Sequence, residues 1–108
     1  MHIKVYVAGP YTKGDVAINV RKALTAGEAL SLYGFVPYIP HLSHFWHLVH
    51  PHDVDFWYQL DTHWLDCCDC LLRLPGESHG ADLEMERMIE QGKPCFLDIP
   101  SLIERYKK

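Results

Sequence analysis

One acidic residue of this 108-residue chain stands where a carboxylate could act as a nucleophile. Glu84 lies in the first turn, or just beyond it, of a helix predicted from Ala81 to Gln91. The N-terminus of a helix stabilises a carboxylate as the anion, which is the form that attacks. The alternative is an ordinary solvated helix face, because three further residues of the same helix are acidic as well.

A second carboxylate, Asp61, falls in the middle of a helix predicted from Val54 to Cys67. Its neighbours on that helix are aromatic or apolar, namely Trp57, Tyr58, Leu60 and Trp64. A carboxyl group amid aromatic side chains can have a raised pKa and serve as a general acid. The alternative is an exposed aspartate between apolar neighbours.

Metal and nucleotide-cofactor chemistry find little support in the sequence. Histidine recurs every third residue at His41, His44, His47 and His50, but a spacing of three drifts around a helix. The three cysteines at 67, 68 and 70 are too close together to aim at one tetrahedral centre. The stretch GPYTKG matches neither the Walker A loop nor G-x-G-x-x-G. We therefore expect no metal and no cofactor, and interpret the histidines as packing side chains of a substrate-contacting loop.

The composition excludes several classes of partner. A net charge of −4 disfavours binding to nucleic acid, whose backbone is a polyanion. No apolar run approaches the ~18–20 residues that span a membrane, so no membrane partner is expected. The N-terminus lacks the pattern of a signal peptide, which favours a cytoplasmic location. The length predicts a single domain over residues 1–108.

Strand and helix patterns alternate along the chain. Strands are predicted at 3–8, 35–39, 70–74 and 94–97, and helices at 16–33, 54–67, 81–91 and 101–106, with a long loop at 40–53. Pro37 predicts that the second strand lies at a sheet edge, because proline has no N–H to donate. This order predicts an α/β fold, a Rossmann-like (flavodoxin-like) three-layer sandwich with a mainly parallel sheet of about four to five strands.

Ligands of such sheets bind at the carboxyl ends of the strands, where the strand order reverses. That rule directs attention to three connections, 9–14, 40–53 and 75–80.

Three segments of the chain resemble the nucleoside 2-deoxyribosyltransferase superfamily, including its deoxynucleoside-monophosphate N-glycosidase branch. They are KVYVAGPY, QLDTHWLDCCDCLLRL and PGESHGADLEMERMIEQGKPCF, in the order in which the family has its corresponding motifs. The third is the most specific, since the family's nucleophile signature is a Ser or Asp, then G-x-x-x-E, then a helix that closes in G-K-P. Transferases usually carry Asp where this chain has Ser78, and the glycosidase branch carries Ser.

The resemblance implies roles for individual residues. Glu84 would attack C1′ of a nucleoside and hold the sugar covalently, and Asp61 would protonate or orient the departing base. Tyr6 would hold the Glu84 carboxylate by a hydrogen bond, and Ser78 would bind the 5′ end of the sugar. The remaining substrate contacts would come from the connections and their aromatic side chains: Gly9, Pro10, Tyr11, Phe45, Trp46, Phe56, Trp57 and Gly80.

The expected function is therefore base exchange on (deoxy)ribonucleosides by a nucleoside 2′-deoxyribosyltransferase, with nucleosides and free nucleobases as partners. Two alternatives stay open, hydrolysis of nucleoside 5′-monophosphates and a non-catalytic nucleotide-binding domain. The resemblance also implies a homo-oligomer, and the apolar stretch from His41 to Trp57 would leave hydrophobic area exposed in a monomer.

Overall fold

The computed structural model describes residues 2–107. Four strands alternate with helices along the chain, as the sequence predicts. The strands are β1 (Lys4–Ala8), β2 (Val36–Tyr38), β3 (Cys70–Arg73) and β4 (Cys95–Phe96). The helices are α1 (Val16–Leu32), α2 (Ser43–Val49), α3 (Val54–Asp66), α4 (His79–Glu90) and α5 (Ile99–Arg105), with a 3-10 turn at Pro40–Leu42.

The strands form one parallel sheet in the order β2-β1-β3-β4. The predicted edge position of the Pro37 strand is confirmed, because β2 pairs with β1 alone. Tyr6 of β1 lies opposite Tyr38 of β2 in the register, and Ala8 lies opposite Arg73 of β3. From β1 the chain crosses to β2 on one side of β1 and then to β3 on the other side. The strand order therefore reverses between β1 and β3.

The sheet separates two hydrophobic cores, because successive side chains of a strand point to opposite faces. On one face, Val5 and Val7 pack with Leu30 of α1 and Leu102 of α5. On the other face, Tyr6 packs with Leu65 of α3 and with Met88 of α4. The result is the predicted three-layer Rossmann-like sandwich with helices on both sides.

Side-chain caps fix where several helices begin. Asp15 accepts a hydrogen bond from the Ile18 amide, 3.1 Å away, and so caps α1. Ser78 caps α4 and Asp98 caps α5, so both helices begin two residues earlier than predicted. Both predictions were wrong because the capping side chains went unrecognised.

The segment from 40 to 53 is more regular than the predicted loop. It contains the 3-10 turn and the seven residues of α2, so the prediction of a long loop at 40–53 was wrong. Within residues 2–107, no helix combines the length and the apolar character needed to cross a membrane.

Candidate active site

A cavity of about 560 Å³ opens at the carboxyl ends of β1 and β3, where the strand order reverses. All three connections singled out in the sequence contribute to its wall. Among the predicted site residues, the cavity is lined by Gly9, Tyr11, Trp57, Asp61, Ser78, Gly80 and Glu84. The structure thus brings both candidate carboxylates to one cavity, although they lie on different helices.

Glu84 is hydrogen-bonded by Tyr6 of β1. The phenol of Tyr6 is fully buried in the sheet and donates a hydrogen bond to Oε2 of Glu84. Burial raises the pKa of Tyr6 well above its ordinary value, and the negative charge of Glu84 raises it further. The phenol therefore stays protonated and remains a hydrogen-bond donor to the carboxylate.

Asp61 has a matching partner that the sequence analysis missed. The Tyr38 hydroxyl donates a hydrogen bond to Oδ1 of Asp61 at 3.2 Å. The Tyr38 ring stacks between the rings of Tyr6 and Trp64, with centroids 5.5 Å and 5.7 Å away. Adjacent positions of two neighbouring strands therefore supply one phenol to each carboxylate. The available signal was a tyrosine near the end of each of the first two strands.

The environment makes both carboxyl groups weaker acids. The pKa of Glu84 is raised to about 7, chiefly by burial. The hydrogen bond from Tyr6 lowers this pKa, and the nearby charge of Asp61 raises it. Burial also raises the pKa of Asp61 to about 7, opposed by the hydrogen bond from Tyr38. The expectation that the helix N-terminus keeps Glu84 ionised was wrong, because α4 begins at His79 and Glu84 therefore lies in the second turn, beyond the turn where a helix N-terminus stabilises an anion. Close to neutral pH, such a pair can hold one proton and one negative charge.

The connection after β1 is hydrogen-bonded by Asn19 of α1 and by two histidines that follow β2. The Asn19 amide donates to the backbone oxygens of Tyr11 and Lys13, at 3.0 Å and 2.8 Å. The hydroxyl of Tyr11 is hydrogen-bonded to Nδ1 of His44 at 2.5 Å. Nε2 of His41 donates to the Pro10 oxygen at 2.9 Å, and burial lowers the pKa of this histidine. These contacts give two of the clustered histidines a structural role, with a neutral His41 as one member.

Trp57 is the aromatic side chain that the structure places on the cavity wall among those expected to stack on a base. Its indole N–H donates to Nδ1 of His47 at 2.9 Å. The Trp57 ring meets those of Trp46 and Phe56 nearly at right angles, with centroids 5.1 Å and 4.9 Å away. His52 stacks on Phe56 at 3.7 Å. Trp46 and Phe56 therefore pack against other aromatic side chains rather than facing the cavity.

Four predicted substrate contacts lie outside the cavity wall: Pro10, Phe45, Trp46 and Phe56. Phe45 and Trp46 are on α2, with 61% and 46% of their surfaces exposed. Pro10 turns toward the connection after β3, where a Cβ atom on Gly76 would approach its Cγ to 2.8 Å. Phe45 and Trp46 contact solvent and neighbouring aromatic rings, and Pro10 lies against the connection after β3, neither of which the linear sequence shows.

Ser78 and Gly80 sit where α4 begins. The Ser78 hydroxyl oxygen accepts a hydrogen bond from the Ala81 amide at 3.1 Å, so this residue caps the helix while it also lines the cavity. Its hydroxyl proton is left free to donate to a ligand. Nζ of Lys13, which also lines the cavity, forms an ion pair at 3.5 Å with the carboxylate of Glu77, the residue before Ser78.

Within residues 2–107, no three His, Cys, Asp or Glu side chains are grouped so that they could hold a metal ion. The site is thus defined by two tyrosine–carboxyl pairs in a cavity at the switch point of a parallel α/β sheet. The chain matches no protein-family model and no curated protein.

Proposed function

We propose that the protein is a nucleoside 2′-deoxyribosyltransferase that exchanges the base of (deoxy)ribonucleosides through a covalent glycosyl–Glu84 intermediate. The observation that carries this proposal is the pair of carboxyl groups in one cavity, each bound by a phenol and each with a pKa of about 7. Cleavage of a glycosidic bond through a covalent intermediate uses one carboxylate as nucleophile and one carboxyl group as acid. A pair that shares one proton near neutral pH supplies both.

In the first step, the ionised Glu84 attacks C1′ of the sugar. The bond between C1′ and the base nitrogen breaks, its electron pair goes to the base, and the base takes a proton from Asp61. In the second step, a nitrogen of the incoming base attacks C1′, its proton goes to Asp61, and Glu84 leaves as the carboxylate. Trp57 supports the proposal because its ring lies on the cavity wall, where it could stack on a flat base.

Hydrolysis of nucleoside 5′-monophosphates is the second candidate function. Lys13, Ser78 and the first turn of α4 share the cavity wall, and a phosphate could bind there. The ion pair between Lys13 and Glu77 weighs against it, because the carboxylate neutralises the nearby cation. We therefore rank exchange between free nucleosides above hydrolysis of monophosphates.

A cytoplasmic setting belongs to the same proposal. The cysteines of the described residues, Cys67, Cys68, Cys70 and Cys95, are free thiols, which suits a reducing compartment.

The test is incubation of the protein with deoxyinosine, with and without adenine, followed by separation of the products. We expect deoxyadenosine and hypoxanthine when adenine is present, and loss of both in Glu84→Ala and Asp61→Asn. Glu86→Gln is the matched control, because Glu86 is an exposed carboxylate on the same helix and does not line the cavity.

Each other outcome identifies an alternative. Faster cleavage of deoxyguanosine monophosphate, abolished selectively by Lys13→Ala, would establish the hydrolase. Nucleoside binding without any bond cleavage would establish a non-catalytic binding domain. Unchanged turnover of Glu84→Ala would eliminate the covalent mechanism.

A further inference from the structure

Arg73, the last residue of β3, is a charged side chain in an unusually buried position. Only 11% of its side chain is exposed, and it does not line the cavity. Arginine is rarely buried to this extent unless its donors are satisfied. The mechanism proposed above gives it no part, so its contacts call for an explanation of their own.

The guanidinium of Arg73 joins three points of the connection between β3 and α4. Nη1 donates to the Leu74 oxygen, and Nη2 donates to the Gly76 oxygen at 3.0 Å. Nη2 also binds Oδ1 of Asp82, at 3.0 Å, in the first turn of α4. One planar group thus contacts the beginning and the middle of the connection and the helix that follows it.

The connection held in this way turns at a glycine. Gly76 has φ of +116°, in the left-handed region that favours glycine, and packs against Pro10 of the connection after β1. Ser78 follows two residues later, and Glu84 lies two residues beyond Asp82 on α4. The course of this segment therefore decides where Ser78 and Glu84 stand relative to the cavity.

We propose that Arg73 is a positioning residue, which fixes the segment from Leu74 to Asp82 and thereby holds Glu84 against the cavity. This inference deepens the proposed function and rests on it for the role of Glu84. Lysine could not replace Arg73 in this task, because an ammonium group lacks the planar fork that reaches several acceptors at once.

The charge of the guanidinium adds an electrostatic effect to the geometric one. Glu84 is faced by Tyr6 from β1 and Tyr38 from β2, and by Asp61 from α3. These phenols are neutral, and Asp61 carries negative charge when ionised. From β3, the positive charge of Arg73 lowers the pKa of Glu84, against the raising by burial. Asp82, on the helix of Glu84 itself, compensates part of that positive charge.

Two substitutions separate the contribution of the charge from that of the fork. Arg73→Met removes both, so we expect the pKa of Glu84 to rise by ~0.5–1 and kcat/KM for base exchange near neutral pH to fall by ~10-fold or more. Arg73→Lys keeps the charge, so the pKa should stay within ~0.3 of the wild-type value while kcat/KM still falls ~10-fold. Arg87→Met is the matched control, because it removes a cation from α4 that pairs with Asp66 instead.

The pKa of Glu84 is measured by the ¹³C shift of its carboxyl carbon against pH, in the protein without substrate. Asp82→Asn provides an independent variant that leaves Arg73 in place. It removes the compensating charge, so the pKa of Glu84 should fall.

An unchanged Glu84 titration in both Arg73→Met and Asp82→Asn would overturn the electrostatic part of the inference. Full exchange activity in Arg73→Lys would overturn the positioning part. Because the titration needs no reaction, shifted titrations in a protein without exchange activity would refute the proposed function while supporting the electrostatic part of this inference. Should Arg73→Met fail to fold, Arg73→Lys and Asp82→Asn still decide both parts.

Discussion

Removing the phenol of Tyr6 should shift the pH range in which the protein is active. Tyr6→Phe keeps the ring in the core and deletes the one hydroxyl that donates to Glu84 Oε2. The hydrogen bond from Tyr6 stabilises the ionised carboxylate and lowers its pKa, whereas burial raises it. Without the hydroxyl, less opposes the raising effect of burial on the pKa of Glu84. The pKa of Glu84 must therefore rise, and the acid limb of the pH–rate profile moves upward.

The size of the shift follows from the strength of the lost contact. A hydrogen bond to a charged group contributes ~1.5–3 kcal/mol, which corresponds to a pKa rise of ~1–2 for Glu84. With the pKa at about 7 in the wild type, about half of Glu84 is ionised near neutral pH. A pKa of ~8–9 leaves ~1–10% ionised, so activity near neutral pH falls ~5- to 50-fold. Above about pH 8 the ratio of wild-type to variant activity narrows, since Glu84 ionises again there, while both proteins lose activity as Asp61 loses its proton.

The assay is kcat/KM for exchange between deoxyinosine and adenine from about pH 5 to pH 9, with the ¹³C titration of Glu84 beside it. Tyr33→Phe is the control, because that hydroxyl belongs to a residue with 64% of its surface exposed at the end of α1. An acid limb that stays in place, or moves to lower pH, would refute the reasoning. So would an equal loss of activity at all pH values, because it would indicate a change in packing.

Three further outcomes are expected. Between about pH 4.5 and 7 the folded protein binds more protons than the unfolded chain, because the pKa of Glu84 is raised from 4.5 to about 7. The free energy of unfolding in urea should therefore fall by roughly 1–3 kcal/mol from pH 5 to pH 8 through Glu84, and Asp61, whose pKa is also raised to about 7, adds to this fall. Glu84→Gln should reduce the dependence and leave the part due to Asp61; a wild-type stability that rises with pH would contradict the reasoning. Tyr38→Phe removes the hydrogen bond that lowers the pKa of Asp61, so this pKa should rise and the basic limb of the pH–rate profile should move up by ~1 pH unit. An unchanged basic limb would exclude Asp61 as the acid. Light scattering at micromolar concentration should give a mass that is a multiple of the mass of one chain. Val49→Glu, on the exposed face of α2, should reduce the measured mass. Full activity at the mass of one chain would count against an oligomer.

The strand and helix order was open to prediction because each buried element has an apolar pattern of its own. The helix α2 has none: no residue between Ser43 and Val49 is buried, so no apolar face marks it in the sequence. The starts of α4 and α5 depend on whether Ser78 and Asp98 turn their side chains back to cap the helix. That choice is made by local backbone geometry rather than by hydrophobic spacing.

The candidate site was predictable only in part, for a related reason. Glu84 and Asp61 were each suggested by their place on a helix, but their meeting in one cavity requires the sheet. The contact of Tyr6 with Glu84 joins residues separated by 78 positions in the chain. Tyr38 gains its importance from the register that sets it beside Tyr6, and Arg73 from the turn that brings Gly76 and Asp82 within its reach. The local sequence shows that these residues are present, but not that they make these contacts.

The division of the core by the sheet has a consequence for how this protein can change over generations. The buried side chains closest to the two carboxyl groups belong to the face covered by α3 and α4. Leu30 and Leu102 belong to the opposite face, under α1 and α5, where they pack against Val5 and Val7. Mutations there alter the margin of stability while the strand backbone keeps the phenols in place. One layer of the sandwich can therefore adapt to temperature without altering the other layer, which holds the side chains of the candidate site.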